Sequence, residues 1–381
     1  VSNYYVATTG SNAAAGTLAA PFLTITYAIS VAANGDTIYV RGGTYSERVS
    51  LSKSLTISAY NGETAIIFAP VGAEGEGVSI INALDVRLTG ITVDSTNRRK
   101  GVAITACDRV TLQGCIVKNA VSAVAGVYAH GIIVSNGSSS DVHIYDTIVF
   151  NIHGVLADET FCHAIYVNTP GTIIARCEMY NIGGHGIHWY AAQGGDLVAY
   201  DNYIHDTHTG IGVYQSTSLV YHNIMRNVAG LGLAVRYGVQ NTLIVFNTVI
   251  GGGIGCDISA LVDGAVVVVR NNVFHNGSFA IHAEQLVAAA VSVIANYNLR
   301  SVQTNADYAG AFASSWTISS INGTFTPVFD NGTTSIFPRN GSAALKAGLN
   351  IPTLTVDRSG RKRTNPPSIG AYEPRKMRLK I

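Results

Sequence analysis

The chain has 381 residues, of which 47% are apolar and 12% charged, with a formal net charge of +1. That is about half the charge of an ordinary soluble domain, and the near-neutral balance excludes the basic stripe that nucleic-acid binding needs. Apolar stretches are strand-length and interrupted, too short for a membrane-spanning helix, so neither nucleic acid nor membrane is an expected partner.

In chain order, Tyr4 to Val6 reads as a strand and Ile25 to Ala33 as a helix, its apolar positions helically spaced. Asn34-Gly35-Asp36 stops that helix, Thr37 to Val40 is a strand, and Tyr45 to Val49 another. Leu55 to Ser58, Ala65 to Phe68, Val78 to Ile81 and Val86 to Leu88 continue as short strands. A repeat then runs to about Leu299. Its spine is a small residue followed by apolar, any, apolar: Gly131-Ile132-Ile133-Val134, Ala164-Ile165-Tyr166-Val167, Gly186-Ile187-His188-Trp189, Gly210-Ile211-Gly212-Val213 and Gly232-Leu233-Ala234-Val235, spaced by 22 to 33 residues. Short strands repeated at such a period stack into a solenoid. The early helix would cover the open apolar end of that stack.

A polar row is expected at one bend: Asp146, Cys177, Asp201, His222, Asn247 and Asn271 in register, followed by Thr147, Glu178, Asn202, Asn223, Thr248 and Asn272. Such rows satisfy the amides of a turning chain. After residue 300 the pattern decays. Ser342 to Leu345 reads as a short helix, Thr353 to Val356 as a last strand, Arg358 to Arg363 as a solvated basic turn, and Gly370 to Glu373 as the end of the fold. The expected organisation is one domain, with residues 1–50 as cap and first strands, 51–300 as coils, and 301–381 as final coils, cap and tail. Cys107, Cys115, Cys162, Cys177 and Cys256 fit no zinc or redox spacing and read as small interior fillers, although Cys107 and Cys115 are near enough to pair across a turn. The Val1-Ser2-Asn3 opening reads as a mature start, and low charge with abundant Thr and Asn fits a secreted, extracellular, monomeric protein.

Pro21-Phe22-Leu23-Thr24-Ile25, Gly35 to Val40, Gly42-Gly43-Thr44-Tyr45, Asp357-Arg358-Ser359-Gly360-Arg361 and Ile369 to Glu373 resemble the two ends of secreted β-helix proteins of the pectin-lyase-like superfamily, in the style of its chondroitinase-B and alginate-lyase branch. The resemblance implies an all-β, single-stranded right-handed parallel β-helix with a short N-terminal capping helix. It implies carbohydrate chemistry, since the superfamily holds polysaccharide lyases, glycoside hydrolases, uronan epimerases and tailspikes. The Asn-Thr-Asp, Asp-Asp and His-Gly set of polygalacturonases is missing, as is an Asp-Pro-His core. The Lys and Arg of the alginate and chondroitin branch have no match, because beyond Lys100 the central coils hold one lysine, Lys118, with no Arg one repeat later.

Strand alternation points Ile187 and Trp189 inward and His188 and Tyr190 outward. Stacking makes one outward column of Ile133, Tyr166, His188, Gly212 and Ala234, and a second of Ser135, Asn168, Tyr190, Tyr214 and Arg236. A uronate lyase must neutralise a carboxylate, remove the C5 proton and protonate the departing O4. Arg236 suits the first task because its fork matches a carboxylate. His188 suits the base, and Tyr190 or Tyr214 the acid. His163 and His185 are further base candidates, and Tyr166, Asn168, Asp158, Glu159, Gln215 and Tyr237 are expected to bind substrate.

His130, His163 and His185 form a column of their own. Three imidazoles are a possible metal set, but the Asp158 to Phe161 insertion separates the first two, so no metal is expected. Calcium lacks a carboxylate cluster. Asp206, beside His205, His208 and Arg226, and Asp158, Glu159, Glu178 and Asp201 are the carboxylates a hydrolase would need in an opposed pair. The reading that results is a lyase cleaving an acidic, uronate-containing polysaccharide, alginate or pectate-like, by β-elimination. A glycoside hydrolase or transferase, or a non-catalytic carbohydrate-binding module with an aromatic row, is the alternative.

Overall fold

Apolar and polar residues alternate along most segments, so each strand buries one face. In this computed structural model the alternation resolves into short strands that follow one another around a coil and pair in parallel with their counterparts one coil on. The structure describes residues 1–70, 75–122, 127–135, 139–154, 159–190, 195–275, 277–284, 291–301, 308–309, 317–322, 327–329, 336–338 and 346–372. They form two compact units, Val1–Asp196 and Leu197–Ile381. No helix among the described residues is long and apolar enough to cross a membrane.

The first unit carries three parallel ladders. One runs through Thr37–Val40, Thr56–Ala59, Leu84–Thr89, Asp108–Gln113, Ser140–Tyr145 and Thr172–Ala175. A second runs through Ala65–Phe68, Ile91–Arg98, Ile116–Ser122, Ile148–Gly154 and the start of Glu178–Trp189. The third, through Glu76–Ile81, Lys100–Thr105, His130–Ser135, His163–Val167 and the end of Glu178–Trp189, carries the histidines. The small residue of each spine is set by coil spacing. A Cβ on Gly131 would stand 2.3 Å from Val149 Cγ1 and 2.7 Å from the Ala164 carbonyl.

Among the described residues the α-helix is Ile25–Val31, with Ile25, Ala28 and Ile29 buried. Its ends are satisfied by the coil beneath it. Thr24 Oγ1 accepts the Tyr27 amide at 3.2 Å, and the Glu47 carboxylate accepts the Ile25 and Thr26 amides, each at 2.8 Å. At the other end Lys53 Nζ donates to the carbonyls of Ile29, Ser30 and Ala32 at 2.7 to 3.0 Å. Negative charge at the N-terminus and positive at the C-terminus both oppose the helix dipole. Because Glu47 turns to this task, Tyr45 to Val49 is not one strand as expected. It divides into Gly43–Tyr45 and Val49–Leu51.

In the second unit the ladders run through Ser218–Tyr221, Thr242–Val245, Val266–Arg270 and the start of Ser292–Ser301, and through Ile211–Val213, Leu233–Val235, Cys256–Ile258 and Ile281–Ala283. One bend is held by an asparagine ladder. Asn202 Nδ2 donates to Asn223 Oδ1 at 2.9 Å, and Asn223 to Asn247, Asn247 to Asn272 and Asn272 to Asn298 follow at 3.0 Å each. The expected row is therefore out by one at Asn247. The residues before the asparagines, Asp201, His222, Phe246, Asn271 and Tyr297, share a positive φ and turn the chain. The same offset in the first unit places Cys177 beyond the left-handed Arg176, in line with Thr147 rather than Asp146.

The C-terminal segment lies along this second unit. Ile369, Ala371 and Tyr372 pack with Tyr203, Ile224, Ile250, Val273 and Leu299. The basic run is not the solvated turn expected. Arg358 Nη1 donates to the Asn202 carbonyl at 2.6 Å, and Arg363 lies over the Phe246 ring at 3.6 Å while donating to the Ser368 and Gly370 carbonyls. Thr353 to Val356 makes one isolated bridge, Val356 to Lys362, because Asp357 Oδ1 gathers the Ser359 and Arg361 amides into a turn at 2.9 Å each. All five cysteines are buried, with no disulfide among the described residues. Cys107 Sγ points to the Ile80 carbonyl and Cys115 Sγ to that of Leu88, so the two do not meet. Ser342 to Leu345, Glu373 and the last residues lie outside the described set.

Candidate active site

The third ladder of the first unit bends at every spine. In Glu178–Trp189, Gly186 and Ile187 are consecutive buried residues, so alternation slips by one and His185 and His188 face the same way. His130–Ser135 slips identically at Gly131-Ile132. Register then stacks His130 on His163, and Ile133, Tyr166 and His188 on one another. Four imidazoles and a phenol come together. The His185 and His188 rings stack 4.7 Å apart, His163 meets each edge-on at 4.7 and 4.3 Å, and the His130 ring lies 5.3 Å from His163 and 5.2 Å from Tyr166.

The protons in this group follow from one backbone bond. The His185 amide donates to His163 Nδ1 at 3.2 Å, so a neutral His163 holds its proton on Nε2. His163 Nε2 lies 2.7 Å from His188 Nδ1, which therefore accepts and leaves the His188 proton on Nε2. Burial drives these imidazoles toward neutrality: His188 is lowered to about 4, His130 to about 3, and His163 well below the ordinary value. Burial likewise raises the Tyr166 phenol. Among the described residues, the grouping of three or more His, Cys, Asp or Glu side chains able to share an ion is His163, His185 and His188, whose donor atoms lie within 4.8 Å of one another.

The second unit holds another constellation. Gly212, Ala234, Asp257 and His282 stack in one column. Asp257 has a side chain 2% exposed; its Oδ2 takes Arg236 Nε at 2.5 Å and its Oδ1 takes His282 Nδ1 at 2.5 Å. Ser259 Oγ donates to the same Oδ2 at 2.9 Å. Arg236 remains 31% exposed and His282 24% exposed. Burial opposes the Arg236 charge, but the Asp257 carboxylate outweighs it and raises the pKa. Tyr214 is buried and pushed up to about 12, mainly by that burial, and packs 5.8 Å from the exposed Tyr237 ring. Tyr237 takes a positive φ where the register with the preceding coil shifts, and Gln215 lies over Gly238 at that shift.

Residues 4–152 match the family model described as Pel9A-like, right handed beta helix region, and residues 163–325 match one described as right handed beta helix region. Over 71 residues the chain is 45% identical to pectate lyase PEL9 of Emericella nidulans, a stretch covering 16% of this chain and 17% of that relative. The solved structure of pectate lyase Pel9A superposes with a TM-score of 0.71 at 14% identity, covering 98% of this chain and 97% of that one. A rhamnogalacturonan lyase superposes at 0.56 with 12% identity, over 84% and 87% of the two chains. The chain is a right-handed parallel β-helix resembling the Pel9A-like proteins. At these identities the solved structures establish the fold alone.

Within that β-helix the remaining candidates fall as follows. Tyr190 is exposed, with its ring 6.1 Å from His188. Asn168 is half-buried, its amide bonded to the Val134 carbonyl. Glu159 opens a short turn, Glu159–Phe161, and bonds His153 Nδ1 at 3.2 Å. Asp158 lies outside the described residues. Asp206 is held by His205 at 2.6 Å and Asn227 at 3.1 Å, and Asp201 faces His222. Sequence reasoning missed Asp257 and His282. Carrying the Gly212 and Ala234 column two coils further, at the same spacing, was the signal that would have found them.

Proposed function

We propose that the protein is a polysaccharide lyase that cleaves a uronate-containing polymer by β-elimination, and that Tyr214, Arg236, Asp257 and His282 carry the reaction. The observation that supports this most is Asp257 gripping both His282 Nδ1 and Arg236 Nε. A carboxylate that accepts at Nδ1 fixes the neutral imidazole with its lone pair on Nε2, where a general base needs it. His282 Nε2 takes the C5 proton. The C5–H electrons form the C4–C5 double bond, and the C4–O4 bond breaks. Tyr214, kept protonated by burial, gives its proton to O4. Arg236 spends Nε on Asp257, and its outer N–H groups, on a partly exposed side chain, face the uronate carboxylate and the charge that develops on it.

The names of the relatives make pectate the first polymer to test, ahead of alginate, and an acidic polysaccharide or its oligosaccharides the expected partner. The same likeness supports a secreted, extracellular setting. Tyr237 and Gln215 line the approach to Arg236, and in the first unit Tyr166, Asn168 and Tyr190 are proposed to contact sugar. We place the whole chain in one working domain on this reading.

The test is incubation with pectate, alginate, chondroitin, hyaluronan and glucuronan while ultraviolet absorbance and reducing ends are followed together. Absorbance rising with reducing ends on one polymer supports the lyase. Reducing ends rising without absorbance overturns it in favour of hydrolysis.

A further inference from the structure

The histidine cluster of the first unit is not needed by the reaction proposed above, and it is costly to build. Four imidazoles are packed against one another where the solenoid bends. His163 is almost wholly buried, at 1% exposure. His130 Nδ1 is buried with no hydrogen-bond partner among the described residues, and a buried polar atom of that kind costs about 1 to 3 kcal/mol.

We propose that His163, His185 and His188 form a binding site for a first-row divalent transition ion, zinc being the expected occupant. Three features carry this. The donor atoms of the three side chains already lie within 4.8 Å of one another. Tetrahedral zinc holds its nitrogen ligands about 3.3 Å apart at Zn–N distances near 2.0 to 2.1 Å, so ring rotations of about an ångström close the site.

The second feature is orientation. His163 Nε2 and His188 Nδ1 already face one another as ligand atoms, and zinc takes His163 Nε2 once the ring proton moves to Nδ1, where metal-binding histidines carry it, a shift that gives up the His185 amide bond at 3.2 Å. His163 Nε2 and His188 Nδ1 share one proton across 2.7 Å. An ion inserted between them displaces that proton to His163 Nδ1, so the three ligands remain neutral imidazoles.

The third is ligand chemistry. Neutral nitrogen donors select zinc, copper, nickel or cobalt, whereas calcium and magnesium need oxygens. Three protein ligands also leave a coordination position for water or a substrate oxygen. Tyr166, whose ring meets His188 edge-on at 5.2 Å, borders the cluster. The strand phase slip at Gly186-Ile187 makes the site, because strict alternation would place His185 and His188 on opposite faces.

The experiment uses the untagged full chain, stripped with a chelator and titrated with zinc chloride by calorimetry, with cobalt chloride as a spectroscopic probe. The expected result is one zinc per chain and a visible cobalt band of tetrahedral type. His188→Gln, at a half-buried position, and His185→Gln are each expected to weaken zinc by on the order of 100-fold or more. Circular dichroism shows whether each variant remains folded. Should a variant unfold, the wild-type cobalt spectrum stands as the readout. Absence of saturable binding of zinc, cobalt, nickel and copper overturns the proposal. So does zinc binding that survives both substitutions, or a preference for calcium. None of these readouts depends on catalysis, so the site stands or falls apart from the lyase reading.

Discussion

Asp257 Oδ1 stands 2.5 Å from His282 Nδ1, one coil away in the same column. The carboxylate is buried and the imidazole partly exposed, so a buried group fixes the orientation of the ring. Asp257→Asn keeps the size and loses the charge. The account expects formation of unsaturated product to fall on the order of 100-fold or more, the usual worth of an oriented general base, with circular dichroism unchanged. Activity within about twofold of wild type would remove His282 from the base role.

Arg236 offers a planar fork that lysine does not reproduce. Arg236→Lys retains charge beside Asp257 but loses the bidentate face. Its kcat/KM on the uronate polymer is expected to fall by roughly 10-fold to 100-fold, or about 1.4 to 2.8 kcal/mol of transition-state stabilisation. Steady-state kinetics check this, and a change confined to KM would make Arg236 a binding residue.

Much of the fold is legible in the sequence because a solenoid repeats its own rule. The small residue of each spine marks a bend, and Gly131 shows why: its missing Cβ is the space that Val149 and the Ala164 carbonyl occupy. The columns Ile133, Tyr166, His188 and Gly212, Ala234 follow from the same register. What strict alternation hides is the phase slip at each bend, which brings His185 beside His188. It also hides the left-handed residues, such as His222 and Phe246, that shift the asparagine ladder by one. Arg358 and Arg363 look solvated in sequence because nothing local reveals the carbonyls and the Phe246 ring they cover.

The asparagine ladder can be tested at Asn247. Its amide donates to the Val220 carbonyl at 2.9 Å and Asn272 Oδ1 at 3.0 Å, and its oxygen accepts the Asn223 amide at 2.9 Å. Asn247→Ala removes the acceptor of the buried Asn223 amide and the donor to the Val220 carbonyl, while Asn272 Oδ1 keeps the Asn247 backbone amide at 2.9 Å, at about 2 kcal/mol or more in total. Urea unfolding should show a lower midpoint with an unchanged slope. A loss under about 1 kcal/mol would mean water satisfies the bend.

His222 sets a pH dependence. Burial lowers its pKa below the ordinary value despite Asp201 at 3.5 Å, and its Nε2 is buried with no hydrogen-bond partner among the described residues. The unfolded chain takes up this proton near pH 6.5, before the folded one does. Stability is therefore full above about pH 6.5 and drains as pH falls through the interval below it. His222→Asn tolerates the same left-handed backbone and has no proton to gain. Its melting temperature should decline less than that of wild type between about pH 7 and pH 5; equal declines would put the proton uptake elsewhere.

The central claim is elimination, and the mass of the new non-reducing end tests it most directly. Pectate oligosaccharides of known length, digested and resolved by mass spectrometry, should give fragments one water lighter than their hydrolytic counterparts, in step with loss of the parent. Fragments that have all gained a water would contradict the lyase and return the Asp257, His282 and Arg236 constellation to hydrolysis.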